Sequence, residues 1–241
     1  YSLNNHYICK TMAITKNHII YSALNTVYNG KGGTSDDANL SLRFLSYQAD
    51  IIRAKLIRED IEKNRSISSN IRQSLGCVPV SAVDASICCS LVTDCTVYRT
   101  DVKLPKPIEV YQKDLITRVG PASVTEAPFQ LIPYERAAWA NFNPLEALNN
   151  NPKAFIFDGY VFILLKNRDQ VFKFINIQGV FASPEDVKTF NTCDGTICYT
   201  NDSPYPISEH MLQPLQQILI ENLKLAIQAP SDSLGNNKMD L

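Results

Sequence analysis

Residues 34–64 read TSDDANLSLRFLSYQADIIRAKLIREDIEKN, the longest helix pattern in the chain. Thr34, Ser35, Asp36 and Asp37 place side-chain oxygens and negative charge where a helix start leaves four N–H groups unpaired. Asp37 follows Thr34 by three residues, close to a capping box. Leu40 to Ile61 contains no Pro and no Gly, and Lys63 and Arg65 bring positive charge to the other end. The pattern predicts one helix over Ser35–Asn64, roughly 45 Å long.

That helix is apolar on two sides. At about 100° per residue, Leu42, Leu45, Ala49, Ile52 and Leu56 share one face, and Leu40, Phe44, Tyr47, Ile51 and Ala54 share a nearly opposite one. Ser46, Asp50 and Arg53 form one polar flank; Gln48, Lys55 and Glu59 form the other. A surface helix of a monomer needs a single apolar stripe. Two readings follow: a central helix sandwiched within its own chain, or a helix that leaves one face for a neighbouring subunit. The candidate contact residues are Leu45 and Ile52 on one face and Phe44 and Ile51 on the other.

Working outward, Ile14–Tyr28 carries a shorter helix pattern, with Ile20, Leu24 and Val27 at helical spacing. Asn29-Gly30-Lys31-Gly32-Gly33 breaks it; without GxxxxGK[ST] spacing or a preceding strand this is a connector, not a phosphate loop. Residues 1–11 carry no usable pattern, and Met12-Ala13 resembles a translational start, so residues 1–11 are read as a non-native or disordered extension.

After Leu75-Gly76 the chain becomes β-rich. Strand patterns cover Val78–Val83, Thr96–Thr100, Leu115–Val119, Phe129–Tyr134 and Val171–Ile177. The strongest signal is Ala154–Phe157 and Tyr160–Leu165 around Asp158-Gly159, a pair suited to a type I′ hairpin turn. Helix returns at Glu209, capped by Ser208, with Met211, Leu212, Leu215, Ile218, Leu219, Leu223 and Ile227 apolar. Pro214 predicts a kink or restart. Residues 229–241 form a polar tail. The fold class predicted is α+β: a bundle from the N-terminal (12–76) and C-terminal (207–228) helices, with a β-rich domain (77–206) inserted between them.

The 241 residues are 45% hydrophobic and 20% charged, as in an ordinary globular protein, and the net charge of −1 argues against a dedicated nucleic-acid binder. No membrane-spanning run and no signal peptide are visible. Seven cysteines, an odd number, favour reduced thiols over a disulfide framework. Cys193-x4-Cys198 could be half a zinc site with Cys88, Cys89 and Cys95, but adjacent cysteines ligate one tetrahedral ion poorly and no His lies nearby. His6, His18 and His210 sit in the ends of the chain, in no nucleophile signature. No catalytic, cofactor or metal residues are therefore assigned.

Several stretches together resemble a structural protein of the virion neck in crAss-like bacteriophages. They are Gly33-Thr34-Ser35-Asp36-Asp37 into Leu40-Ser41-Leu42-Arg43-Phe44, Ile52-Arg53-Ala54, Leu75-Gly76-Cys77, and Val83-Asp84-Ala85-Ser86-Ile87-Cys88-Cys89. They continue with Thr117-Arg118-Val119-Gly120-Pro121, Pro128-Phe129, Ile132-Pro133-Tyr134-Glu135-Arg136-Ala137, Ile175-Asn176-Ile177-Gln178-Gly179-Val180-Phe181 and Asn236-Asn237-Lys238. The resemblance runs from Met12 onward and lies in their number and order. It implies a head–tail connector, assembled in the bacterial host cytoplasm. Its subunits would form a ring, twelvefold by expectation, docked beneath the portal and beside other neck or tail rings, with DNA passing through the lumen. The alternatives are a small metal- or thiol-dependent enzyme packaged with the phage, and a tail-tube or tail-completion protein.

Overall fold

The computed structural model describes residues 14–28, 42–64, 66–84, 96–123, 125–137, 152–165 and 172–228. Helix α1 spans Lys16–Val27, with the Thr15 side chain accepting from the His18 N–H at its start. Helix α2 runs Leu42–Asn64. The predicted cap at residues 34–37 and Leu40 lie outside the described residues, as do Cys88, Cys89, Cys95 and residues 1–11 and 229–241. Helix α4 runs Glu209–Gln228 as one element through Pro214, without the predicted restart, and a four-residue turn, α3, covers Tyr134–Ala137.

Among the described residues, ten strands lie between α2 and α4: β1 Gln73–Ser74, β2 Val78–Asp84, β3 Thr96–Thr100, β4 Glu109–Val110, β5 Lys113–Asp114, β6 Ile116–Pro121, β7 Gln130–Leu131, β8 Lys153–Phe157, β9 Tyr160–Leu164 and β10 Phe174–Gly179. Eight of them form a mixed sheet, and β4 and β5 pair separately as a hairpin. Strand β10 is its axis. Gln178 pairs with Ser74 of β1 and with Arg118 of β6, and Ile175 with Val78 of β2 and Pro121 of β6. So β1 and β2 follow one another along one edge of β10, and β6 runs along the other. The sheet continues from β2 through β3, β9 and β8 to β7, which pairs with β8 in parallel. Phe129 N–H, just before β7, donates to Val119 O of β6 at 2.7 Å, curling the sheet into a half-barrel. Val78, Val119, Phe129, Ala154, Val161, Ile163, Ile175 and Ile177 lie in its core.

This overturns the predicted helical bundle with an inserted β-rich region. The curled sheet organises the fold, and the helices do not close a core of their own. The apolar cluster along α1, α2 and α4 also contains Ile71, Ile108, Val110 and Val180 from the sheet and its connections. A long helix with a broad buried arc needs more cover than two other helices offer, and the sheet side provides it. The β8–β9 hairpin forms as predicted, with Phe157 opposite Tyr160 and Asp158 and Gly159 both left-handed (φ 48° and 77°).

The reduced-thiol reading is also corrected. Cys77 and Cys193, 116 residues apart, form a disulfide with Cα atoms 5.0 Å apart. Cys77 N–H donates to Asn191 O, which lays the 191–198 turn over the start of β2. Gly76 makes this possible: its φ is +67°, and a Cβ there would lie 2.4 Å from Asn191 O. Spacing along the chain could not reveal a pair made by this non-local approach. Cys198 is a free thiol in the same corner, and burial pushes its pKa up. Among the described residues no helix is long and apolar enough to cross a membrane, and no group of three or more His, Cys, Asp or Glu could hold a metal ion.

Candidate functional site

Tertiary packing assigns the two apolar faces of α2 to different environments. Leu45 and Ile52 are 1% and 4% exposed, packed in the chain's own core. Phe44 and Ile51 are 46% and 44% exposed, and Tyr47 stands beside them at 63%. Two residues depart from the sequence reading. Ala54, predicted beside Phe44 and Ile51, is buried, whereas Leu42, predicted beside Leu45, is half exposed at the start of the helix.

The larger departure is the flank of Ser46, Asp50 and Arg53, read as polar surface. Asp50 and Arg53 are buried, and they tie four parts of the chain together. Lys16 Nζ donates to Asp50 Oδ2 at 2.8 Å and to Glu185 Oε1 at 3.0 Å. Tyr205 Oη donates to Asp50 Oδ1 at 2.8 Å, and Ser46 Oγ to Glu185 Oε1 at 3.2 Å. Arg53, 0% exposed, donates through Nε to Pro206 O at 2.6 Å and through Nη1 to Phe181 O at 2.8 Å. Its guanidinium lies 5.6 Å from the Tyr205 ring, a cation–π distance.

Buried charges persist when paired and hydrogen-bonded. Burial raises the Asp50 pKa against the opposing pull of Lys16, and burial lowers that of Arg53. Burial pushes Tyr205 well above its ordinary value and Tyr199 up to about 12, so both are neutral phenols. The network is a clamp that fixes the rotation of α2 about its axis, and thereby which residues face outward. An Asp and an Arg one helical turn apart at the centre of the longest helix were the only sequence signal for it. Lys16, Glu185 and Tyr205 gave none.

The outward ridge of Phe44, Tyr47 and Ile51 is bordered by two grooves. One, of about 350 Å³, lies between α2 and the 106–109 and 182–183 segments; Tyr47, Ile51, Ala54, Arg58, Lys106 and Glu109 line it. The other, of about 210 Å³, lies between α2 and α4, lined by Phe44, Leu45, Gln48, Leu219, Asn222 and Leu225. His210 Nε2 meets Asp60 Oδ1 at 3.2 Å, pairing α4 with α2.

An aromatic and aliphatic ridge held outward by a buried clamp suits the class of assembly subunits, proteins that meet their partners through a fixed face. Residues 18–241 match the family described as phage tail ring protein 2, and the chain belongs to that family of crAss-like phage ring proteins. It is thus a structural phage protein and a virion component. No curated protein matches the chain.

Proposed function

We propose that the subunit packs against copies of itself in a closed ring at the junction of portal and tail, with the outer ridge of α2 as an intersubunit surface. The single observation that carries this is the division of α2: Leu45 and Ile52 are consumed by the chain's own core, whereas Phe44, Tyr47 and Ile51 are held in solvent by the clamp on the opposite side. Rings arise from heterologous contacts that close on themselves, so each subunit must offer two different surfaces, and the ridge is one. Twelvefold symmetry, docking on the portal and an extended DNA channel complete the reading. The family's description as a tail ring favours its tail side. A net charge of −1 suits a lumen through which DNA slides, since phosphate contacts dominate DNA affinity.

The test is charge placed on the ridge. Phe44→Asp and Ile51→Asp are expected to give soluble subunits with normal helical circular dichroism that form no rings in sedimentation velocity or negative-stain microscopy. Rings assembling as in the wild type would remove the ridge from the interface.

A further inference from the structure

The β4–β5 hairpin turns through Tyr111 and Gln112, with Glu109 opposite Asp114 and Val110 opposite Lys113. Both loop residues have left-handed backbone, φ 51° and 61°. A two-residue hairpin loop with φ positive at both positions favours Asn-Gly or Asp-Gly, and a bulky residue there is strained. The same protein meets the same demand without strain at Asp158-Gly159. The strain at Tyr111 is held by its flanks. Val110 is buried against the helices, Glu109 O accepts from Arg58 Nε at 3.3 Å, and Leu115 N–H donates to Ile108 O at 2.9 Å. What the strain secures is an aromatic side chain 66% exposed at the tip of a ribbon outside the main sheet. Strain that persists at a surface position points to a role there.

We propose that Tyr111 is a docking knob for a second copy of this chain, received in the neighbour's groove between α2 and α4. The inference rests on the ring reading and supplies its second surface. The groove is apolar through Phe44, Leu219 and Leu225, and carries two amides, Gln48 and Asn222, with no charged group lining it among the described residues. A tyrosine has the matching chemistry, an apolar ring with a hydroxyl that needs a hydrogen-bond partner once buried. The position matches as well. The hairpin adjoins the flank of α2 that carries Ala54 and Arg58, whereas the receiving groove lies on the flank of Leu45 and Gln48. Knob and socket on opposite flanks of one helix are the requirement of a head-to-tail contact. Tyrosines anchored in such pockets dominate interfaces.

The experiment replaces the loop by its relaxed form. The double variant Tyr111→Asn with Gln112→Gly is expected to raise the subunit's Tm by about 2–4 °C and to weaken ring assembly at least roughly tenfold. Gln112→Gly alone keeps the knob and is expected to assemble as the wild type does. A photo-crosslinking phenylalanine at position 111 is expected to label the 219–225 segment of another copy, read by mass spectrometry. Wild-type assembly by the double variant, an unchanged or lowered Tm, or crosslinks confined to other surfaces would each overturn the knob. If the double variant assembles while Phe44→Asp does not, the ridge reading stands and this inference alone fails.

Discussion

Lys16 Nζ and Asp50 Oδ2 meet at 2.8 Å, joining α1 to the middle of α2 across 34 residues of chain, and both side chains are almost wholly out of water. Removing Lys16 leaves the Asp50 carboxylate buried with only the Tyr205 hydroxyl donating to it, and removing Asp50 leaves the Lys16 ammonium with Glu185 alone. Lys16→Met and Asp50→Asn are each expected to destabilise the subunit by about 3–5 kcal/mol in urea unfolding. The double variant should lose less than the sum, because the two groups share one interaction. Additive losses would show that the pair is not coupled.

Glu185 supplies the acid sensitivity of the same network. Burial works to raise its pKa, but the Lys16 hydrogen bond and charge, with Lys188 and Ser46, hold it below the usual value. A carboxylate whose pKa is depressed on folding stabilises above its unfolded pKa of about 4.5, and that contribution disappears as pH falls through the folded value. Asp50, whose pKa is raised chiefly by burial, acts in the opposite sense, its contribution declining as pH rises through the raised value. Glu185→Gln is therefore expected to flatten the fall in Tm below about pH 4.5. An acid limb as steep as in the wild type would assign that fall to other groups.

The inner face of α2 should respond to charge as a core does. Leu45→Asp and Ile52→Asp place a carboxylate where exposure is 1% and 4%, at a cost of several kcal/mol against a domain stability of about 5–15 kcal/mol. Insoluble protein, or loss of cooperative unfolding, is expected for both. A well-folded Ile52→Asp subunit would contradict the burial described for this face.

The Cys77–Cys193 bond closes a loop of more than a hundred residues. Reduction, or Cys193→Ser, is expected to lower stability by about 2–5 kcal/mol, in line with disulfides that close long loops. Cys198→Ser, at a free and half-buried thiol, should change it by less than about 1 kcal/mol. Thermal melts with and without reductant separate the two, and a reductant-insensitive Tm in the wild type would refute the link.

Much of the local structure was legible. Asp158-Gly159 announced its hairpin because left-handed backbone at two successive positions admits few residue pairs. The spacing of Met211, Leu215, Leu219 and Leu223 marked the buried stripe of α4, and all four are buried. The strand patterns at residues 115–119 and 171–177 found β6 and β10 with ends displaced by a few residues. Phe129–Tyr134 gave only the two-residue β7, because a parallel pairing with β8 is invisible from either strand alone.

The sequence by itself determined that α2 has two apolar faces, since side-chain direction along a helix follows from its period. It did not determine which face is inward. That was decided where Arg53 meets the backbone carbonyls of Phe181 and Pro206, more than a hundred residues away, so that a flank read as solvated became the buried clamp. The curl of the sheet, with β6 and β2 on opposite edges of β10, and the Cys77–Cys193 link were decided at the same level. The physical reason is common to all three. Backbone preference and periodicity belong to chain neighbours, whereas burial of a charge, a strand edge or a thiol depends on what distant segments desolvate together.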